Sequence, residues 1–200
     1  MTKQDDPNLE LNLSTDTDEP EETSLQTVEI QTEIVAERQR QITAKIQIPH
    51  SVEQVWQILT DYEALANFIP NLVKSRRLEH PTGGIRLEQV GTQRLMRFNF
   101  SARVVLDLEE KFPQEINFNM VEGDFRAFSG SWRLEPLPLN QMETKLYYIL
   151  SVWPKRTMPV AIIERRICSD MRFNLLAIRQ RVEELFGTAE MGADHDADNQ

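Results

Sequence analysis

The chain has 200 residues, 40% apolar and 27% charged, with an acidic, polar first stretch and no run of roughly 18 or more apolar residues, so a Sec-type leader and a membrane-spanning helix are not expected. Its formal charge of −10 is unevenly spread: residues 1–37 hold eleven acids against Lys3, residues 187–200 hold four acids and no base, and residues 38–186 hold 21 bases against 17 acids. A mildly basic body between acidic ends lacks the dense basic stripe of a DNA-binding domain, and the single cysteine, Cys168, excludes an intramolecular disulfide and fits a reducing, cytoplasmic setting.

Residues 1–37 are rich in Asp, Glu, Thr and Gln and poor in aromatics, and with residues 187–200 they read as disordered tails around one domain at 38–186. That domain opens on RQITAKIQIP, where Ile42, Ala44, Ile46 and Ile48 alternate with polar residues as in a half-buried strand. Ser51, with Gln54 three residues on, predicts a capping box at the start of VEQVWQIL, and Asp61 predicts a second cap for DYEALANFI. Six extended stretches follow between residues 71 and 154, punctuated at Pro81–Gly84, Pro113, Gly123–Asp124 and Pro136–Asn140. From Pro159 to Phe186, apolar residues from Ile163 to Leu185 recur at helical spacing and predict one long amphipathic helix. Runs of strands closed by a terminal helix argue for an antiparallel α+β domain.

Catalytic constellations are scarce. His50, His80 and His195 share no ligand spacing, so no metal is expected, and Cys168 has no neighbouring base or second thiol. Glu109 and Glu110 point to opposite faces of a strand, and neither a phosphate-cradling glycine loop nor a nucleophile elbow around Ser129 is present. No catalytic residue and no cofactor are therefore assigned. The chain has instead rows of large apolar side chains: Phe98 to Leu108 at alternate positions, Ile116–Phe118–Met120, Phe128–Trp132–Leu134, and Tyr147–Ile149–Trp153. A curved sheet covered by one helix would pack many of these as core and leave others lining a tunnel for an apolar ligand.

Three stretches carry a resemblance: GDFRAFSGSWRLEPL with Gly123, Phe125, Gly130 and Trp132; TKLYYILSVWP followed by MPVAIIERR and FNLLAIRQRVEELF; and SVEQVWQILTDYEALANFIPNLVKSRRLE with Phe68 and Pro70. Over residues 40–186 the chain is similar to the polyketide cyclase/dehydrase family of START-like (SRPBCC) proteins, especially its coenzyme Q-binding branch. The resemblance implies the helix-grip fold: a seven-stranded antiparallel sheet around a long C-terminal helix, with two short helices between strands 1 and 2. It also implies a cavity for a lipid, a polyprenyl quinone or another hydrophobic small molecule, near Phe68, Phe100, Phe118, Trp132, Tyr147, Met171 and Leu175, with the Tyr147 hydroxyl meeting a ligand carbonyl.

The expected function is thus a carrier or chaperone of a hydrophobic molecule. The alternatives are a polyketide or aromatic cyclase or dehydratase, with Tyr147, Arg133 or Arg97 as its polar group, and a protein- or ribosome-interaction module, since a related branch is described as a ribosome association toxin. Lys155, Arg156, Arg165 and Arg166, among Met158, Val160, Ile162 and Ile163, form an expected basic and apolar rim suited to peripheral contact with an anionic membrane.

Overall fold

The computed structural model describes residues 27–95 and 98–187, with side chains given outside 93–100. Eight strands form one antiparallel sheet: β1 (Glu29–Ala36), β2 (Gln39–Ile48), β3 (Leu72–Leu78), β4 (Ile85–Leu95), β5 (Phe98–Lys111), β6 (Glu115–Gly123), β7 (Ala127–Pro136) and β8 (Thr144–Trp153). Their spatial order is β1-β2-β8-β7-β6-β5-β4-β3, so each hairpin-linked pair lies side by side and β8 returns to pair with β2. Helix α1 (Val52–Thr60) and a 3₁₀ turn (Ala64–Asn67) link β2 to β3, and helix α2 (Val160–Phe186) ends the described fold.

Strand alternation builds one continuous inner face. Ile42, Ala44, Ile46 and Ile48 of β2 are all at most 2% exposed, and Ile42 and Ala44 pair across the ladder with Leu150 and Tyr148 of β8. Tyr148 in turn opposes Trp132 of β7, and Trp132 opposes Ile116 of β6. Against this face α2 buries Ile163, Met171, Leu175, Ile178 and Val182, the stripe expected from its periodicity. Leu185 departs from that stripe and is exposed, because the last turn packs through Phe186, whose ring lies 6.4 Å from that of His50. Gly187 ends the helix with φ 84°, and its carbonyl is bridged by His50 Nε2 at 2.7 Å.

The α1 capping box forms: Ser51 Oγ accepts from the Gln54 backbone, and the Ser51 N–H donates to Gln54 Oε1 at 3.1 Å. The second helix shortens to the 3₁₀ turn. Asp61 ends α1 rather than capping the next element, and its carbonyl accepts from Ala64 N.

The strand count is corrected from seven to eight. The extra strand, β1, lies inside the stretch read as an acidic tail, and the expected boundary at residue 38 falls in the turn between β1 and β2. As an edge strand, β1 is paired on one side only and leaves Ile34 and Val35 exposed, and its apolar residues stand between Glu29, Glu33 and Glu37, so the segment reads with its acidic neighbours. Val28 anchors it in the core, and its carbonyl accepts from Arg172 of α2. Residues 1–26 and 188–200, including His195, lie outside the described residues.

Candidate ligand cavity

Between α2 and the inner face of β4–β8 lie two adjoining cavities of about 170 and 100 Å³. By the same measure a void of about 10–15 Å³ holds one water, so neither is a packing defect. The larger, outer chamber is bordered by Pro70 and Asn71 of the loop before β3 and by Arg166, Asp170, Met171 and Asn174 of α2. The inner chamber is bordered by Phe118, Trp132 and Ile178 among other apolar side chains. Leu72, Gln89, Phe128, Tyr148 and Asn174 border both and form their shared wall.

The inner chamber is aromatic. Trp132 stacks on Tyr148 with centroids 3.8 Å apart, and the Phe118 ring lies 5.9 Å from Phe128 and 6.2 Å from Tyr148. Gly130 makes this packing possible: it pairs with Phe118, and a Cβ there would press on the Phe118 ring and run into the Ile149 carbonyl.

The outer chamber is polar on its α2 side. Asn71, held at φ 65°, donates from Nδ2 to Asp170 Oδ1 at 3.2 Å, and Arg166 Nε lies 4.0 Å from Asp170 Oδ2. Burial pushes the Asp170 carboxyl above its ordinary range, opposed by the Arg166 charge and the Asn71 hydrogen bond. Burial, reinforced by the Asp170 charge, likewise pushes the Tyr148 hydroxyl up, so it is held neutral. The Asp170 side chain is 30% exposed, which places this polar end toward the surface and the aromatic chamber deeper. Among the described residues no group of three or more His, Cys, Asp or Glu is arranged to hold a metal ion, and no helix is long and apolar enough to cross a membrane.

Residues 48–175 match the family model described as "Polyketide cyclase / dehydrase and lipid transport". The chain belongs to this family. Among curated relatives, the Ribosome association toxin RatA of Escherichia coli K12 is 29% identical over 97 residues, 48% of this chain and 59% of the relative, so little more than half of that protein is matched. Among solved structures, a START superfamily protein from Mycobacterium smegmatis superposes with a TM-score of 0.62 at 19% identity, covering 72% of this chain and 98% of the other. The Zhui aromatase/cyclase from Streptomyces sp. R1128 superposes with a TM-score of 0.62 at 16% identity, covering 77% and 99%. At these identities the structural likeness establishes the START-like, helix-grip fold.

Within this family fold, Phe118 and Trp132 border the inner chamber and Met171 the outer. The other expected positions are displaced. Tyr147 faces the opposite side of the sheet, where the Arg133 guanidinium lies 4.6 Å from its ring centroid, and the cavity tyrosine is Tyr148. The period of two explains this: Leu146, Leu150 and Val152 are buried, so the even positions of β8 face inward and Tyr147, Ile149 and Trp153 face outward. Leu175 is fully buried in the α2 core, away from both cavities. Phe68 packs at the edge of the core with Arg181 5.8 Å from its ring, while its neighbours Ile69 and Pro70 reach the cavity walls. The side chains of Phe100 and Arg97 lie outside the described residues.

In the basic rim, Lys155, Arg156 and Arg165 are exposed, as is Ile162. Arg166 leaves this group: its side chain is only 10% exposed and turns to the cavity beside Asp170. The residues missed in the sequence, Gln89, Asp170 and Asn174, are polar side chains within otherwise apolar stripes. Their signal was positional, since Arg166, Asp170 and Asn174 recur every four residues beside Ile163, Ile167 and Met171 on one side of α2.

Proposed function

We propose that this domain binds and carries a hydrophobic small molecule, a lipid or an isoprenoid such as a polyprenyl quinone or quinol, in the divided cavity beneath α2, without chemical conversion. The observation that carries the reading is the cavity itself: an aromatic inner chamber joined to an outer chamber whose polar groups gather at one end. Ligand pockets have this composition, mostly apolar with a few placed polar groups. Desolvation supplies the affinity, at about 0.8 kcal/mol per buried methylene, and needs no reactive residue. Exposed Arg156, Arg165 and Ile162 at the start of α2 suit peripheral contact with an anionic membrane in the cytoplasm while the ligand is exchanged.

A cyclase or dehydratase is the second reading, favoured by one observation. Asp170, a carboxyl raised by burial, borders the same cavity as the Tyr148 phenol, so two groups able to carry a proton share one space.

Native mass spectrometry of the purified protein, with organic extraction of what co-purifies, tests the proposal. A stoichiometric lipid or isoprenoid, lost in Trp132→Arg, is the expected result. A protein that purifies without ligand and takes up none on titration overturns it. Salt-dependent co-sedimentation with ribosomes would then favour an interaction module, the activity named for the bacterial relative.

A further inference from the structure

The shared wall between the chambers contains a polar contact that the fold leaves unmade. Asn174 Oδ1 is buried and has no hydrogen-bond partner. Across the wall, the Tyr148 hydroxyl makes no hydrogen bond to any described residue, although its ring is fixed by the stack on Trp132. Buried polar side-chain atoms are nearly always paired, so an acceptor without a donor beside a cavity asks for an external donor. Asn174 itself borders both chambers, and the terminal amide torsion of asparagine is soft. Two other polar groups of the cavity are already engaged: Asp170 with Asn71 and Arg166, and Gln89 Nε2 with Ser75.

We propose that this wall recognises the hydroxyl group of an apolar ligand, an alcohol or phenol rather than a carbonyl compound, with Asn174 Oδ1 accepting from that hydroxyl and Tyr148 donating to it. The inference rests on the cavity-binding reading and narrows its ligand class. A hydroxyl both donates and accepts, so it satisfies both residues at once. A ketone, aldehyde, quinone or ether only accepts. It can take the Tyr148 hydrogen bond but leaves Asn174 without a donor in a cavity the ligand has just dried. The same logic favours a quinol over its quinone. With the hydroxyl at the shared wall, the hydrocarbon part fills the inner chamber against Phe118 and Trp132.

Calorimetric titration of the full chain with geraniol, geranyl methyl ether and geranial, which share one carbon skeleton, tests this. Geraniol is expected to bind about tenfold more tightly than the other two, the equivalent of one net hydrogen bond of ordinary strength. Asn174→Leu is expected to erase the difference between geraniol and the ether, and Tyr148→Phe to weaken geraniol by a smaller factor. If Asn174→Leu fails to fold, the wild-type ranking and Tyr148→Phe still decide. Equal binding of all three probes, or preference for geranial, overturns the hydroxyl assignment and leaves the hydrophobic cavity standing. No binding of any probe, together with no co-purifying ligand, removes both.

Discussion

Trp132 and Tyr148 oppose each other across β7 and β8 with their ring planes 11° from parallel, and this stack both closes the inner chamber and fixes the Tyr148 ring. The next pair in the same ladder, Arg133 and Tyr147, makes a cation–π contact on the opposite face. One strand step therefore separates a cavity wall from an outer surface.

Truncation on the two faces should differ accordingly. Trp132→Ala is expected to cost about 3 kcal/mol, the low end for a core-facing aromatic because the ring is only partly buried and borders a void. Tyr147→Ala is expected to cost under about 1 kcal/mol, as for a half-exposed position whose chief contact is one cation–π pair. Urea unfolding of both variants measures the difference. Equal losses would mean that β8 is shifted by one residue.

Much of the architecture was legible because its signals are local. The alternation in β2, the capping box at Ser51 and Gln54, and the long stripe on α2 each need only a few neighbouring residues to be read. Two things were not. β1 is held by pairing to β2 and by contacts such as Arg172 to the Val28 carbonyl, 144 residues away in sequence, and its exposed edge has an acidic composition that reads as tail. The cavity tyrosine depended on the parity of KLYYILSVW. Taking Lys145 and Ser151 together as the outward set would have turned Tyr148 inward, whereas the aromatic row Tyr147–Trp153 favoured the wrong face. Asn174 could be read only as one position of the Arg166–Asp170–Asn174 row, since a polar residue in an apolar stripe acquires meaning only when a cavity is found beside it.

Gly130 is required by close approach rather than by turn geometry. Gly130→Ala would force its Cβ against the Ile149 carbonyl and the Phe118 ring, neither of which can move without breaking the β7–β8 ladder or the aromatic cluster. A loss of about 2 kcal/mol is expected, at the middle of the range for overpacked cores, together with weaker ligand uptake as Phe118 is pushed into the inner chamber. Thermal unfolding and probe titration of the variant check both parts. An unchanged melting temperature would show that β7 yields freely.

On the outer face of the sheet, Glu88 receives Lys74 and Arg76 on Oε2 and Arg103 on Oε1, each at 2.6 Å. The hydrogen bonds from Lys74, Arg103 and Arg76 hold its carboxyl down to about 2. A carboxyl depressed in the folded state contributes stability above its unfolded value, near 4.3, and loses it as the pH falls toward the folded value. Wild-type stability should therefore fall between about pH 5 and pH 2 more steeply than that of Glu88→Gln, which has no carboxyl to titrate there. Denaturant midpoints measured across this window test it, and parallel curves for the two proteins would remove Glu88 as the source.

Asp170 has the opposite sign. Its carboxyl is raised by burial beyond what Arg166 and Asn71 offset, so the folded state holds its proton to a higher pH than the unfolded chain does. Such a group loses stability as the pH rises through the folded value, and at neutral pH the fold is carrying a carboxylate it would be more stable without. Asp170→Asn retains an acceptor for Asn71 and removes the buried charge. It is expected to raise the melting temperature at pH 7, with the advantage shrinking as the pH falls and wild-type Asp170 takes up its proton. A residue that costs stability while bordering a cavity is the pattern of a site kept for binding or chemistry rather than for folding. The same variant therefore separates the two readings of the cavity: a carrier should keep its ligand uptake in Asp170→Asn, whereas a cyclase or dehydratase that uses this carboxyl should retain binding and lose turnover. A lower melting temperature at pH 7 would instead make the contacts to Asn71 and Arg166 the dominant role of Asp170.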